Sequence, residues 1–134
     1  MVVASVTRLH IRSWRYFIPF MLYTIRSLRQ AKTATGNLHA SVIRDKHNAF
    51  WTRTLWKSEE AMKTFMLSGA HRNAMPRLLD WCDEAALVAW TQDSNAVPDW
   101  SEAHWHLQQE GRRSKVRHPA AAHEKYEIAS PEAA

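Results

Sequence analysis

Cysteine is all but absent from this chain: Cys82 is the single one in 134 residues. That excludes an internal disulfide and a multi-cysteine zinc centre, and it fits a reducing cytoplasm. Long apolar runs are missing too. The most apolar stretch, Trp14 to Ile25, holds Arg15 and falls short of the roughly 20 residues a bilayer span needs. The N-terminal MVVASVTRLHIRS lacks the charged region, apolar core and cleavage site of a signal peptide. There is no HExxH, Walker loop, GxGxxG, nucleophile elbow or internal repeat, which removes the reaction classes those motifs carry.

What is present is the composition of one globular domain, 46% hydrophobic and 23% charged. Seven tryptophans are many for this length. Tryptophan is large and amphipathic, so they line aromatic cavities or fill the core. The net charge is +5. The basic stretch Gly111 to His118 has no interleaved aromatics, so no nucleic-acid partner is expected.

Hydropathy periods give the element order. Val3 to Arg12 alternates as a half-buried strand. A helix follows from about Pro19 to Lys32, with Ile18, Met21, Leu22, Ile25 and Leu28 as its apolar stripe and Phe20 and Tyr23 off it. A helix apolar on two sides touches two things, the second being a partner subunit, a ligand or a membrane surface. Leu38 to Arg44 and Ala49 to Trp56 read as antiparallel strands joined by Asp45 to Asn48. On the second, Phe50, Thr52, Thr54 and Trp56 share one face, and Trp51, Arg53 and Leu55 the other. Ser58 caps a helix carrying Met62, Phe65 and Met66. Ser68-Gly69 interrupts it, and a segment with Pro76, Leu79 and Trp81 follows. Ala85 to Thr91 is a last strand. Asp99 and Glu102 start a C-terminal helix that ends by Gly111. The order βαββαβ is a ferredoxin-like α+β arrangement with an antiparallel sheet, plus a C-terminal helix. Residues 1–118 form this domain, and 119–134, rich in Ala, Glu and Pro, read as a disordered tail.

Few residues suit chemistry. His71 follows Gly69 at a helix start, where free N–H groups and the dipole attract anions and disfavour imidazolium. It reads as a general base or an oxyanion donor, or else as a histidine that caps its turn. Arg53 sits between Trp51 and Leu55 and calls for an anionic ligand or an internal ion pair. Trp51, Trp56, Trp81 and Trp90, with Phe65, line an apolar substrate pocket or belong to the core. His104 and His106 are two apart on a helix and make a poor metal pair, so no metal is expected. Cys82 reads as a structural thiol.

Phe50-Trp51, Leu55-Trp56, Phe65, Ser68, His71-Arg72, Trp81, Trp90, Pro98, Glu102-Ala103, Leu107 and Gly111 together resemble an uncharacterised bacterial family. That family is grouped with the antibiotic-biosynthesis-monooxygenase-like dimeric α/β barrels. The resemblance implies a homodimer in which the sheet of one protomer faces that of its partner. It implies no set reaction, because the wider superfamily spans cofactor-independent oxygenases, haem-degrading oxygenases and plain ligand-binding proteins. Aligned with the haem-degrading branch, Phe65 and Met75 stand where that branch has its Trp and its iron-ligating His. Haem degradation of that type is therefore not implied, though haem itself stays open.

Three functions follow as expectations. The first is a monooxygenase-like enzyme, without a cofactor, oxidising a small hydrophobic or aromatic molecule. His71 deprotonates or orients the substrate, Arg53 holds an anionic oxygen and the tryptophans exclude water. The alternative is a non-catalytic ligand-binding or dimeric structural module. Membrane-surface contact through Trp14, Tyr16, Phe17, Phe20 and Tyr23 ranks third, because dimer packing would bury the same aromatics.

Overall fold

The computed structural model describes residues 1–132. Five strands make one sheet in the order β2-β3-β1-β4-β5. They are β1 (Val2–Ile11), β2 (Asn37–Arg44), β3 (Ala49–Trp56), β4 (Cys82–Gln92) and the two-residue β5 (Arg112–Arg113). All neighbouring pairs are antiparallel. The helices are α1 (Phe17–Thr33), α2 (Glu59–Met66), α3 (Gly69–Trp81), α4 (Trp100–Glu110) and a single turn, α5 (Ala121–Glu124). This is the ferredoxin-like α+β fold expected from the element order. No helix among the described residues is long and apolar enough to cross a membrane.

Local chemistry sets the element ends. Gly36, at φ +85°, turns the chain out of α1 into β2, a conformation that costs glycine nothing. The Ser58 hydroxyl accepts from the Ala61 amide and starts α2. Asp99 does the same for α4, accepting from the Glu102 amide at 2.8 Å. Asp45 closes the β2–β3 hairpin. Fully buried, it accepts from the amides of His47 and Ala49 and from the Trp51 indole at 2.9 Å.

The period-two alternation divides the sheet into two faces. Val3, Phe50 and Trp56 point to the side covered by α1, α2 and α3, where they join Phe20, Ala31, Met62 and Phe65. Val6, Trp51, Ala86 and Val88 point to the other side, where Ala103 and Leu107 of α4 pack on them.

Three differences from the sequence reading matter. On α1, Phe20 is fully buried and packs 4.8 Å from Phe50, whereas Ile18, Leu22 and Ile25 of the expected stripe are exposed. The sheet meets the helix on the side carrying its aromatics, which bury more apolar area than the aliphatic stripe does. Second, residues 119–132 are packed against the domain. Tyr126 donates to the Leu107 carbonyl, the Ile128 carbonyl accepts from His104 at 2.8 Å, and Lys46 pairs with Glu132. Third, the sheet face that the resemblance gives to a partner's sheet is covered from within by α4 and this C-terminal segment. Sheet-on-sheet pairing of two copies requires both to move aside.

Candidate functional site

A cleft of about 540 Å³ opens between the sheet and helices α1 to α3, a size suited to a small organic molecule. Its floor is a row of hydroxyls: Ser5 and Thr7 from β1, Thr52 and Thr54 from β3. They share one face because the β1–β3 register sets Ser5 opposite Thr54 and Thr7 opposite Thr52. Its apolar wall includes Trp56, Met62 and Phe65, the two aromatic rings being stacked 5.1 Å apart. The Trp56 indole N–H is fully buried without a hydrogen-bond partner, which is costly for a donor. Lys63, also on the lining, is tied to Glu59 at 2.9 Å.

His71 lines the same cleft, its ring 4.8 Å from that of Phe65. Its Nδ1 lies 3.1 Å from the Met66 carbonyl. A carbonyl only accepts, so Nδ1 carries the proton and Nε2 is left with its lone pair. Burial lowers the imidazole pKa from its ordinary value, and the Met66 bond opposes that only in part. The ring is thus a neutral base of fixed tautomer. The helix start beside it is not free for an anion. The His71 amide donates to Oε1 of Gln30 at 3.0 Å, and Gln30 Nε2 donates to the Ser68 carbonyl at 2.8 Å. Gln30 is the residue the sequence did not announce. It lies on the helix preceding two strands, and only packing of α1 on α3 brings it here.

Trp56, Phe65 and His71 therefore come together as expected. Arg53 does not join them. It is on the opposite face of the sheet, where its Nη1 donates to the Pro98 carbonyl at 2.7 Å and its Nε to Ser41 Oγ at 3.1 Å. Its guanidinium lies 4.1 Å from the centre of the Trp100 ring. Partial burial lowers its pKa, while nearby Asp99 raises it. Arg53 clamps the start of α4 to the sheet. Trp51 is a fully buried core residue on that face. Trp90 is there too, stacked on His106 at 3.7 Å. Trp81 ends α3 and packs against Tyr16 and Tyr23 outside the cleft lining.

Two places bear on metals. Met75, where the haem-degrading branch has its ligand, is 43% exposed and outside the cleft lining. His71 is the imidazole on that lining, and ligating histidines often give their second N–H to a backbone carbonyl, as this one does. Its Nε2 is thus the atom that would hold a haem iron, and the group would bring oxygen-binding chemistry to the cleft. On the opposite face, His10, Asp83 and Glu84 come within 4.8 Å of one another. They are already paired, His10 with Asp83 at 2.6 Å and Glu84 with Arg8 at 2.9 Å.

Residues 25–117 match the family described as a domain of unknown function, DUF3291. No curated protein matches the chain. Solved structures do. Rv0793 from Mycobacterium tuberculosis superposes with a TM-score of 0.63 at 11% identity, covering 70% of this chain and 97% of that one. SnoaB, a cofactor-independent oxygenase from Streptomyces nogalater, gives 0.57 at 15% identity, covering 73% and 98%. A Deinococcus radiodurans protein, provisionally described as an antibiotic biosynthesis monooxygenase, gives 0.61 at 17% identity, covering 74% and 98%. At these identities the likeness establishes the fold alone.

Proposed function

The chain belongs to the DUF3291 family, and from its fold and its cleft we propose that it is a monooxygenase-like protein oxidising a small hydrophobic or aromatic molecule. One observation carries this reading: a neutral histidine of fixed tautomer opens on a cleft walled by Trp56 and Phe65. His71 Nε2 takes a proton from an acidic C–H of the substrate. The carbanion reduces dioxygen, a C–O bond forms, and loss of water leaves a carbonyl, so that a CH₂ and O₂ become C=O and H₂O. The hydroxyl row of Ser5, Thr7, Thr52 and Thr54 holds the substrate's oxygens, and Arg53 lies on the other side of the sheet. The single free and buried thiol fits a cytoplasmic setting. A homodimer belongs to this reading, through a surface other than the covered sheet face.

The test is oxygen uptake with anthrone, a C–H acid that yields a stabilised carbanion. His71→Ala should abolish uptake while leaving the circular dichroism and melting temperature close to wild type. Uptake that survives His71→Ala removes the assignment. The second reading, a non-catalytic binding module, is favoured by the bond of the His71 ring to the Met66 carbonyl, which gives that histidine a structural role without any chemistry. Native mass spectrometry showing a retained small molecule, with no oxygen uptake, selects it.

A further inference from the structure

We propose that the outer face of α1 docks on an anionic lipid surface. Trp14, Ile18, Leu22 and Ile25 are 89%, 67%, 49% and 41% exposed. Their spacing of four, four and three residues puts them on one stripe. Exposed Arg15, Arg26, Arg29 and Lys32 surround it, and none of the four is in an ion pair among the described residues. The first acidic residue of the chain is Asp45, so the first 44 residues bring seven lysine and arginine side chains and no carboxylate side chain.

The sequence ranked membrane contact low because dimer packing would bury the aromatics of this segment. The structure turns Phe17, Phe20 and Tyr23 inward and leaves the aliphatic stripe outside, so that argument no longer applies. An apolar stripe rimmed by arginine is what the boundary between headgroups and acyl chains accommodates, and tryptophan is enriched there. A second copy of this chain fits less well. A two-fold contact sets each face against itself, and here that brings unpaired arginines together. Nucleic acid would neutralise the arginines but leave Ile18, Leu22 and Ile25 in water. Tyr23, Thr24 and Ser27, on the cleft lining, belong to the opposite side of the same helix. Docking therefore holds the cleft about one helix diameter, roughly 10 Å, from the lipid. The inference does not depend on what the cleft does.

Flotation of the full chain with vesicles tests it. Phosphatidylcholine vesicles containing phosphatidylserine should carry the protein upward, pure phosphatidylcholine should not, and high salt should release it. Each neutralised arginine should weaken partition roughly fivefold, so Arg26→Gln with Arg29→Gln should lower it well over tenfold. Ile18→Ser with Leu22→Ser should reduce binding at low salt while the melting temperature holds. Protein that stays in solution with both vesicle types overturns the proposal. So does light scattering in which the Ile18→Ser, Leu22→Ser variant turns a dimer into a monomer, since the face would then belong to a second copy.

Discussion

Gln30 of α1 and His71 of α3 are joined backbone to side chain: the His71 amide donates to Gln30 Oε1 at 3.0 Å. The same side chain donates to the Phe65 carbonyl at 3.3 Å and to the Ser68 carbonyl at 2.8 Å, so one amide group satisfies both the end of α2 and the start of α3. It substitutes for the missing side-chain cap at Ser68. Gln30→Ala should therefore destabilise the fold by about 1–2 kcal/mol and loosen His71, measured as a lower urea midpoint and as slower anthrone oxidation. Gly69→Ala should cost as much or more. Gly69 sits at φ +58°, and a Cβ there would meet the Gln30 side chain at 3.1 Å.

Arg53 links β3 to the start of α4 through the Pro98 carbonyl and the Trp100 ring. Arg53→Met should cost about 2 kcal/mol and raise amide exchange across Trp100–Glu110. It should leave ligand binding in the cleft unchanged, because the sheet lies between. A large loss of binding with α4 still protected would return Arg53 to the site.

Acid should weaken this protein through two histidines. Burial lowers the pKa of His71, and burial with Arg53 and Lys32 lowers that of His39. Below about pH 6.5 the unfolded chain takes up protons that the folded chain resists. Unfolding free energy then falls as pH falls, until the folded histidines also protonate. His71→Gln should flatten this slope, and denaturant titrations between neutral pH and pH 5 read it directly. If hemin is added, any Soret shift should vanish in His71→Ala and survive in Met75→Ala. The buried Cys82 thiol, pushed up to about 12 by burial and then by Asp83, should react with a disulfide reagent only after unfolding.

Element order, caps and strand parity were legible because each is written in short-range chemistry. Ser58 and Asp99 cap as their spacing requires, and the alternation along β3 separates Trp56 from Trp51 and Arg53 as read. That parity already placed Arg53 and the Trp56 wall on opposite faces. The expected convergence of Arg53 with His71 ignored it. The buried side of α1 was not legible, since Ile18, Leu22 and Ile25 satisfy a helical period as well as the aromatics do. The choice between the two is made by which side meets Phe50. The composition of the C-terminal segment, rich in Ala, Glu and Pro, gives no sign of packing, because its contacts rest on a few residues such as Tyr126 and Ile128.

Asp45 illustrates how much one polar residue in a turn can hold. Its carboxylate, fully buried, receives two amides and the Trp51 indole. Asp45→Ala leaves two buried donors, the Ala49 amide and the Trp51 indole, without an acceptor, at roughly 1–3 kcal/mol each, while the exposed His47 amide turns to water, so the loss should exceed about 2 kcal/mol. Asp45→Asn is the sharper experiment. Its carbonyl oxygen still accepts from the His47 and Ala49 amides, but its NH₂ then faces the Trp51 N–H, donor against donor. In a Trp51→Phe background that conflict is gone, and Asp45→Asn should cost about 1–2 kcal/mol less than in the wild type. Equal costs in both backgrounds would mean that the indole bond adds nothing to the hairpin. Trp51 would then be held by its packing against Val6, Leu107, Trp100 and His104.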